Sequence, residues 1–177
     1  MQKNIGEYIL RNFQNSDVKS FVRHASNPNI AQNLRDAFPY PFTEDAAEMW
    51  IYRAINERSK TDFAIAYKNE VIGGIGFNLL DDVFSKSAEI GYWISEDYWG
   101  KGIATSALRE IKNYAFKTFD IERIFTGVFS NNAASVRVLE KNGFYFEGCL
   151  RKSVFKNGMF LDQLIYSLIR DEWVESC

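Results

Sequence analysis

The sequence predicts an α/β domain built on a mixed sheet, and three observations carry that reading. Apolar β-rich runs alternate with runs of helical period. The central run, residues 88–94, enters a short turn and then Gly100-Lys101-Gly102, after which a helical pattern starts at once. The last two apolar runs, 144–150 and 161–169, follow one another with no helix between, as antiparallel strands do.

Each element has its own signal. Residues 8–13 read as a strand, and Ser16 or Asp17 caps a short helix to about residue 25. Residues 27–42 contain all three prolines and read as irregular. Thr43 caps a second helix with acids in its first turn and Ala46, Met49, Trp50 and Ala54 on its apolar face. Strands are expected at 62–67, 71–80 and 88–94, with Asn69 turning the first hairpin. The helix after the glycine turn covers 103–119, its stripe formed by Ala104, Ala107, Leu108, Ile111 and Ala115. A strand at 123–129 follows. Asn131 or Asn132 then caps a helix that stops at Asn142-Gly143.

Composition narrows the function. With 177 residues and 46% hydrophobic residues, the chain is expected to fold as a single domain, 1–177, with one sizeable core. No apolar run reaches the length of a membrane span, and the polar first seven residues lack a signal-peptide core. Cytoplasmic location follows as the expectation, with reduced thiols at Cys149 and Cys177, Cys149 as a small buried hydrophobe. The 21 basic and 23 acidic residues leave a net charge of −2, which argues against a nucleic-acid partner. No His, Cys and carboxylate cluster has metal-ligand spacing. His24, the only histidine, reads as a surface residue on an N-terminal helix.

A strand, a glycine turn and a helix N-terminus together make an anion site. The first helical N–H groups lack intrahelical partners, and glycine lets the backbone approach a phosphate. It is not a dinucleotide fingerprint, because Thr105 stands where a third small residue is needed; nor is it a Walker loop, because Gly102 follows Lys101.

The segment Tyr98-Trp99-Gly100-Lys101-Gly102-Ile103-Ala104, taken with the stretch from Asn132 to Gly148, resembles the GNAT superfamily of acetyl-CoA-dependent N-acetyltransferases. The nearest likeness is to the RimJ/RimL type, which acetylates N-terminal amines of ribosomal proteins. The resemblance covers nearly the whole chain and implies the GNAT fold: a central, mixed, mostly antiparallel, twisted sheet of about six to seven strands flanked by about four helices. It also implies acetyl-CoA as cofactor. Trp99, Gly100, Lys101, Gly102, Ile103, Ala104 and Thr105 fall on the pyrophosphate loop, Trp99 standing where Gln or Arg is usual. Tyr92, Trp93 and Ile94 fall on the strand that splays and pairs with pantetheine, and Asn132 matches the asparagine that contacts that arm. Leu139 occupies the position of the tyrosine that protonates the leaving thiolate in many members, and Ser135 is the replacement by analogy.

The chemistry gives these residues work. At pH 7 roughly one α-amine in ten is neutral, against fewer than one lysine in a thousand. Glu89 is the candidate base, sharing a strand face with Gly91 and Trp93, while a backbone N–H near Trp93 or Ile94 is placed to hold an oxyanion. Each has a plainer alternative: Glu89 a salt-bridge acid, Ser135 and Asn132 helix caps, Lys101 a solvated loop charge, Tyr166 core. Phe38, Tyr40 and Phe42 either wall an acceptor cleft or pack their loop, and Asp81, Asp82, Glu96 and Asp97 either favour a cationic acceptor or are simply solvated. The function expected is direct ternary-complex transfer of acetyl to a primary amine, a protein N-terminus or a small molecule, by a monomer or homodimer. A non-catalytic acyl-CoA sensor is the alternative.

Overall fold

In the computed structural model, which describes residues 2–174, the strands are β1 (Gln2–Ile5), β2 (Tyr8–Arg11), β3 (Asp62–Tyr67), β4 (Glu70–Leu79), β5 (Ser87–Ile94), β6 (Arg123–Phe129), β7 (Tyr145–Lys156) and β8 (Met159–Ile169). The α-helices are α1 (Val18–Ala25), α2 (Pro28–Ala31), α3 (Glu44–Asn56), α4 (Ile103–Thr118) and α5 (Ala133–Glu140). The strands form one sheet in the order β1-β2-β3-β4-β5-β6-β8-β7. β5 and β6 pair in parallel, whereas β3/β4, β6/β8 and β7/β8 are antiparallel. The expected sheet type holds, with one strand and one helix more than expected. β1 has little apolar signal because three of its four residues are exposed. α2 was hidden by Pro28, which sits in its first turn, where a missing N–H costs nothing, and Asn27 caps it by accepting from the Asn29 N–H at 2.7 Å. Cys177 lies outside the described residues.

Two compact units make up the chain, Met1–Gly76 with Tyr92–Ala107, and Phe77–Gly91 with Leu108–Cys177. The core of the first joins Phe21 and Ala25 of α1, Ala47, Ile51 and Ala54 of α3, Phe38, Phe42 and Trp93. The Phe21 and Trp93 rings stack at 5.4 Å with 8° between planes. Two glycines of β4 let β5 approach closely: a Cβ on Gly74 would lie 2.7 Å from the indole Nε1 of Trp93, and one on Gly73 would lie 2.7 Å from the Trp93 main-chain carbonyl oxygen. Thr43 caps α3 as expected, accepting from the Ala46 N–H at 3.2 Å. Its apolar face is corrected, however. Ala47, Ile51 and Ala54 are the buried set and Ala46 and Trp50 flank it, while Met49 is 71% exposed. Phe38 and Phe42 pack the core rather than wall a cleft, and Tyr40 is exposed.

In the second unit, β6 buries Ile124, Thr126 and Val128 and leaves the intervening Phe125 and Gly127 half-exposed. The α4 residues Leu108, Ile111 and Ala115 are fully buried. The Arg170 guanidinium closes the end of that helix by donating to the carbonyls of Phe116 at 3.0 Å, Phe119 at 3.1 Å and Ile121 at 2.6 Å. Lys112 is buried, and its Nζ donates to the Asn142 carbonyl beyond α5 at 2.7 Å; burial pulls its pKa down. Gly143, at φ +82°, ends α5 as expected, with the Phe144 N–H donating to the Leu139 carbonyl at 3.1 Å. Cys149 is exposed, not buried, because β7 is the edge strand and is open to solvent along most of its length. Tyr166 is buried, as the core reading required.

Candidate active site

The glycine turn is tied to β5 and β4 by hydrogen bonds. β5 ends at Ile94. The Ser95 N–H donates to the Ile72 carbonyl at 2.7 Å, and a 3-10 turn, Glu96–Tyr98, leads to Trp99. The Trp99 indole N–H donates back to the Ile94 carbonyl at 2.8 Å. Trp99, anomalous in the sequence pattern, therefore latches the loop to the end of the strand. Gly100 and Gly102 hold φ +75° and +73°, which an L side chain adopts only with strain. A Cβ at either position would meet nothing within 4 Å, so the space beside both is open. The Ser106 N–H donates to the Gly102 carbonyl at 3.1 Å. The N–H groups of Ile103 and Ala104 lie in the first turn of α4, before that bond, where the helix itself offers no acceptor. Lys101 folds over the loop, its Nζ 4.8 Å from the centre of the Tyr98 ring.

Side chains from earlier in the chain brace this turn. The Glu96 carboxylate accepts from Asn29 Nδ2 at 3.0 Å and Asn27 Nδ2 at 2.7 Å, which hold it below the usual carboxylate range. It is thus engaged in holding α2 to the loop, not a solvated lure for cations. His24, expected at the surface, has a side chain only 10% exposed. Its Nδ1 lies 3.0 Å from Ser95 Oγ and its Nε2 3.3 Å from Glu70 Oε2. Those contacts, His24 first and then Arg23, depress the Glu70 pKa. The sequence carried no signal for this brace, because its members lie 46 to 71 residues apart.

Trp93 turns its indole into the core of the first unit, with Nε1 buried and unpartnered among the described residues. Ile94 is buried and Tyr92 half-buried. What the buried Trp93 and Ile94 offer a ligand is therefore main chain.

In the second unit, Glu89 is half-exposed between the buried Ala88 and Ile90, which confirms the alternation expected around it. It pairs with Phe125 at the last step of the β5–β6 ladder, Ser87↔Arg123, Ala88↔Ile124 and Glu89↔Phe125. β6 itself runs on to Phe129 against β8. Asn132 caps α5, its Oδ1 accepting from the Ser135 N–H at 3.1 Å. Ser135 is half-buried and lies one helical turn before Leu139, which is fully buried. The α-helix therefore presents Ser135 on the face where Leu139 closes the core.

Residues 8–145 match the family model described as an acetyltransferase (GNAT) domain. The chain belongs to the GNAT acetyltransferase family. It is 31% identical over 169 residues to YdaF of Bacillus subtilis (strain 168), a candidate ribosomal N-acetyltransferase, covering 96% of this chain and 86% of that one. The ribosomal-protein-serine acetyltransferase of Escherichia coli (strain K12) is 35% identical over 109 residues, 62% of this chain and 60% of its own. Among solved structures, the ribosomal L7/L12 α-N-protein acetyltransferase RimL in complex with coenzyme A superposes with a TM-score of 0.84 at 25% identity, covering 97% of this chain and 99% of that one. Membership makes this GNAT protein an acetyl-CoA-dependent N-acetyltransferase of RimJ/RimL likeness. The open glycine turn at the N-terminus of α4 suits the diphosphate of coenzyme A. No helix among the described residues is long and apolar enough to cross a membrane.

Proposed function

We propose that this acetyltransferase moves the acetyl group directly to the α-amine of a protein or peptide, without a covalent enzyme intermediate, and that residues 1–177 work as one domain in the cytoplasm. The observation that carries the reading is the glycine turn from Trp99 to Thr105, with both glycines left-handed and the space beside them open. The turn is the family's diphosphate loop in a chain that the family model spans across both compact units. The relatives' names, one a ribosomal and one a ribosomal-protein-serine acetyltransferase, support a protein acceptor.

Roles follow from position. The N–H groups of Gly102 to Thr105 bind phosphate oxygens, and Lys101 adds charge. Trp93 and Ile94 supply main-chain groups, and Asn132 contacts the pantetheine arm. Glu89 takes the proton from the attacking amine. An α-amine, with a pKa of about 7.7–8.0 against about 10.4 for lysine, spares that base about 3.5 kcal/mol of deprotonation. Ser135 gives a proton to the departing thiolate, seated one turn from Leu139, whose burial removes position 139 from the chemistry.

Thiol release from acetyl-CoA, measured with peptides, polyamines and aminoglycosides, tests this directly. Turnover greatest on peptides with free α-amines is expected. Turnover on small amines alone would replace the acceptor class, and CoA binding without turnover on any amine would make the protein a sensor.

A further inference from the structure

The half-exposed face of the sheet in the second unit holds a carboxamide in an unusual position. Gln163 of β8 pairs with Phe129 of β6, and Ile165 pairs with Gly127. The Gln163 side chain nevertheless folds back over Gly127: a Cβ built there would overlap Gln163 Nε2 and lie 2.5 Å from its Cδ. Only glycine at 127 leaves the carboxamide that seat. Registered partners share a face, so Glu89, Phe125 and Ser167 point to the same side as Gly127 and Gln163. Gly127 is two residues along β6 from the last β5–β6 pair and one strand across from Glu89. Those steps of about 6.6 Å and 4.8 Å put the Gly127 backbone, which the carboxamide overlies, about 8 Å from the Glu89 backbone.

Charge on this face is sparse. Glu147, at the bulge in β7, is held by both Arg123 nitrogens at 2.5 Å and by Ser167 Oγ at 2.6 Å. Its charge is already matched. Glu89 is a second carboxylate on this face, and Gln163 is a neutral group that both donates and accepts. A polyamine carries several charges and no amide. A peptide N-terminus carries one ionisable amine followed at once by a peptide group. Two hydrogen bonds of about 2.9 Å, with the first residue between them, span the distance from Glu89 to Gln163.

We infer that Gln163, seated in the notch over Gly127, binds the first peptide group of the acceptor and so selects peptide α-amines over simple amines. This deepens the acceptor class proposed above and rests on it. The experiment compares a tetrapeptide with propylamine as acceptor, using thiol release, in the native enzyme, Gln163→Leu and Gly127→Ala. The ratio of kcat/KM for peptide to that for propylamine should fall about tenfold in both variants, the loss of one or two hydrogen bonds. Gly127→Ala acts by evicting the carboxamide and leaves Gln163 chemically intact. An unchanged ratio in Gln163→Leu, with peptides still the better acceptors, overturns the role of Gln163 and leaves the acceptor class standing. Propylamine turnover with no peptide turnover overturns both. Should neither acceptor turn over, the side-chain amide NMR signal of Gln163 in CoA-loaded enzyme is followed during peptide titration. A peptide-dependent shift supports the contact, and a fixed signal overturns it.

Discussion

At Gly102 two physical demands coincide. Its φ of +73° costs an L residue about 1–2 kcal/mol, and its open side faces the diphosphate in the proposed complex. Gly102→Asp adds strain and a like charge, so calorimetry should show coenzyme A affinity falling at least about tenfold. A folded variant of native affinity would sink the loop assignment. Glu89→Gln keeps shape and removes the base. Turnover on a peptide amine should drop by about 10²-fold at neutral pH and recover toward alkaline pH as free amine accumulates, with coenzyme A affinity retained. An unchanged pH–rate profile would remove Glu89 from the proton path. Leu139→Ala tests burial instead of chemistry: truncating a fully buried leucine should cost about 2–5 kcal/mol in denaturant unfolding.

Elements hold these residues in place through contacts that cap or latch their ends. The Trp99 indole closes the turn onto β5, so Trp99→Phe should lose about 1 kcal/mol of local stability. Hydrogen exchange at the start of α4 would rise, and exchange unchanged there would show that the latch is idle. In the β6–β8–β7 part of the sheet an ion pair ties Arg123 to Glu147. The Arg123 hydrogen bonds, with Ser167 adding a smaller contribution, bring the Glu147 pKa down from its usual 4.5 to about 2. A depressed carboxylate stabilises the fold above its unfolded pKa and loses that effect as pH falls through its folded one. Stability should therefore decline between about pH 4.5 and 2, and Glu147→Gln should flatten that limb in denaturant titrations at fixed pH. Equal slopes in both proteins would assign acid sensitivity elsewhere.

For the molecule as a whole, binding of coenzyme A to the folded state must add stability. At a ligand concentration 100 times Kd the gain is about 2.7 kcal/mol, read as a rise in thermal midpoint that Gly102→Asp should cut by about half or more. Most of the fold was legible in the chain because its signals are local. Thr43 and Asn132 cap helices from their own sequence neighbourhoods, Gly143 stops one, and alternation places Glu89 beside buried Ala88 and Ile90. What misled was local signal of the wrong kind. Prolines hid α2, the α3 stripe was read one residue off its centre, and an edge strand exposed Cys149. By itself the sequence determined the order of the main elements, the family likeness and the glycine turn proposed to receive coenzyme A, because periodicity, caps and left-handed glycines act over a few residues. Only the tertiary structure decided that Trp99 is a latch, that His24, Glu70 and Ser95 brace one loop, and that Gln163 sits over Gly127. Those are meetings of side chains from distant strands and helices, set by register and packing, which no local pattern encodes.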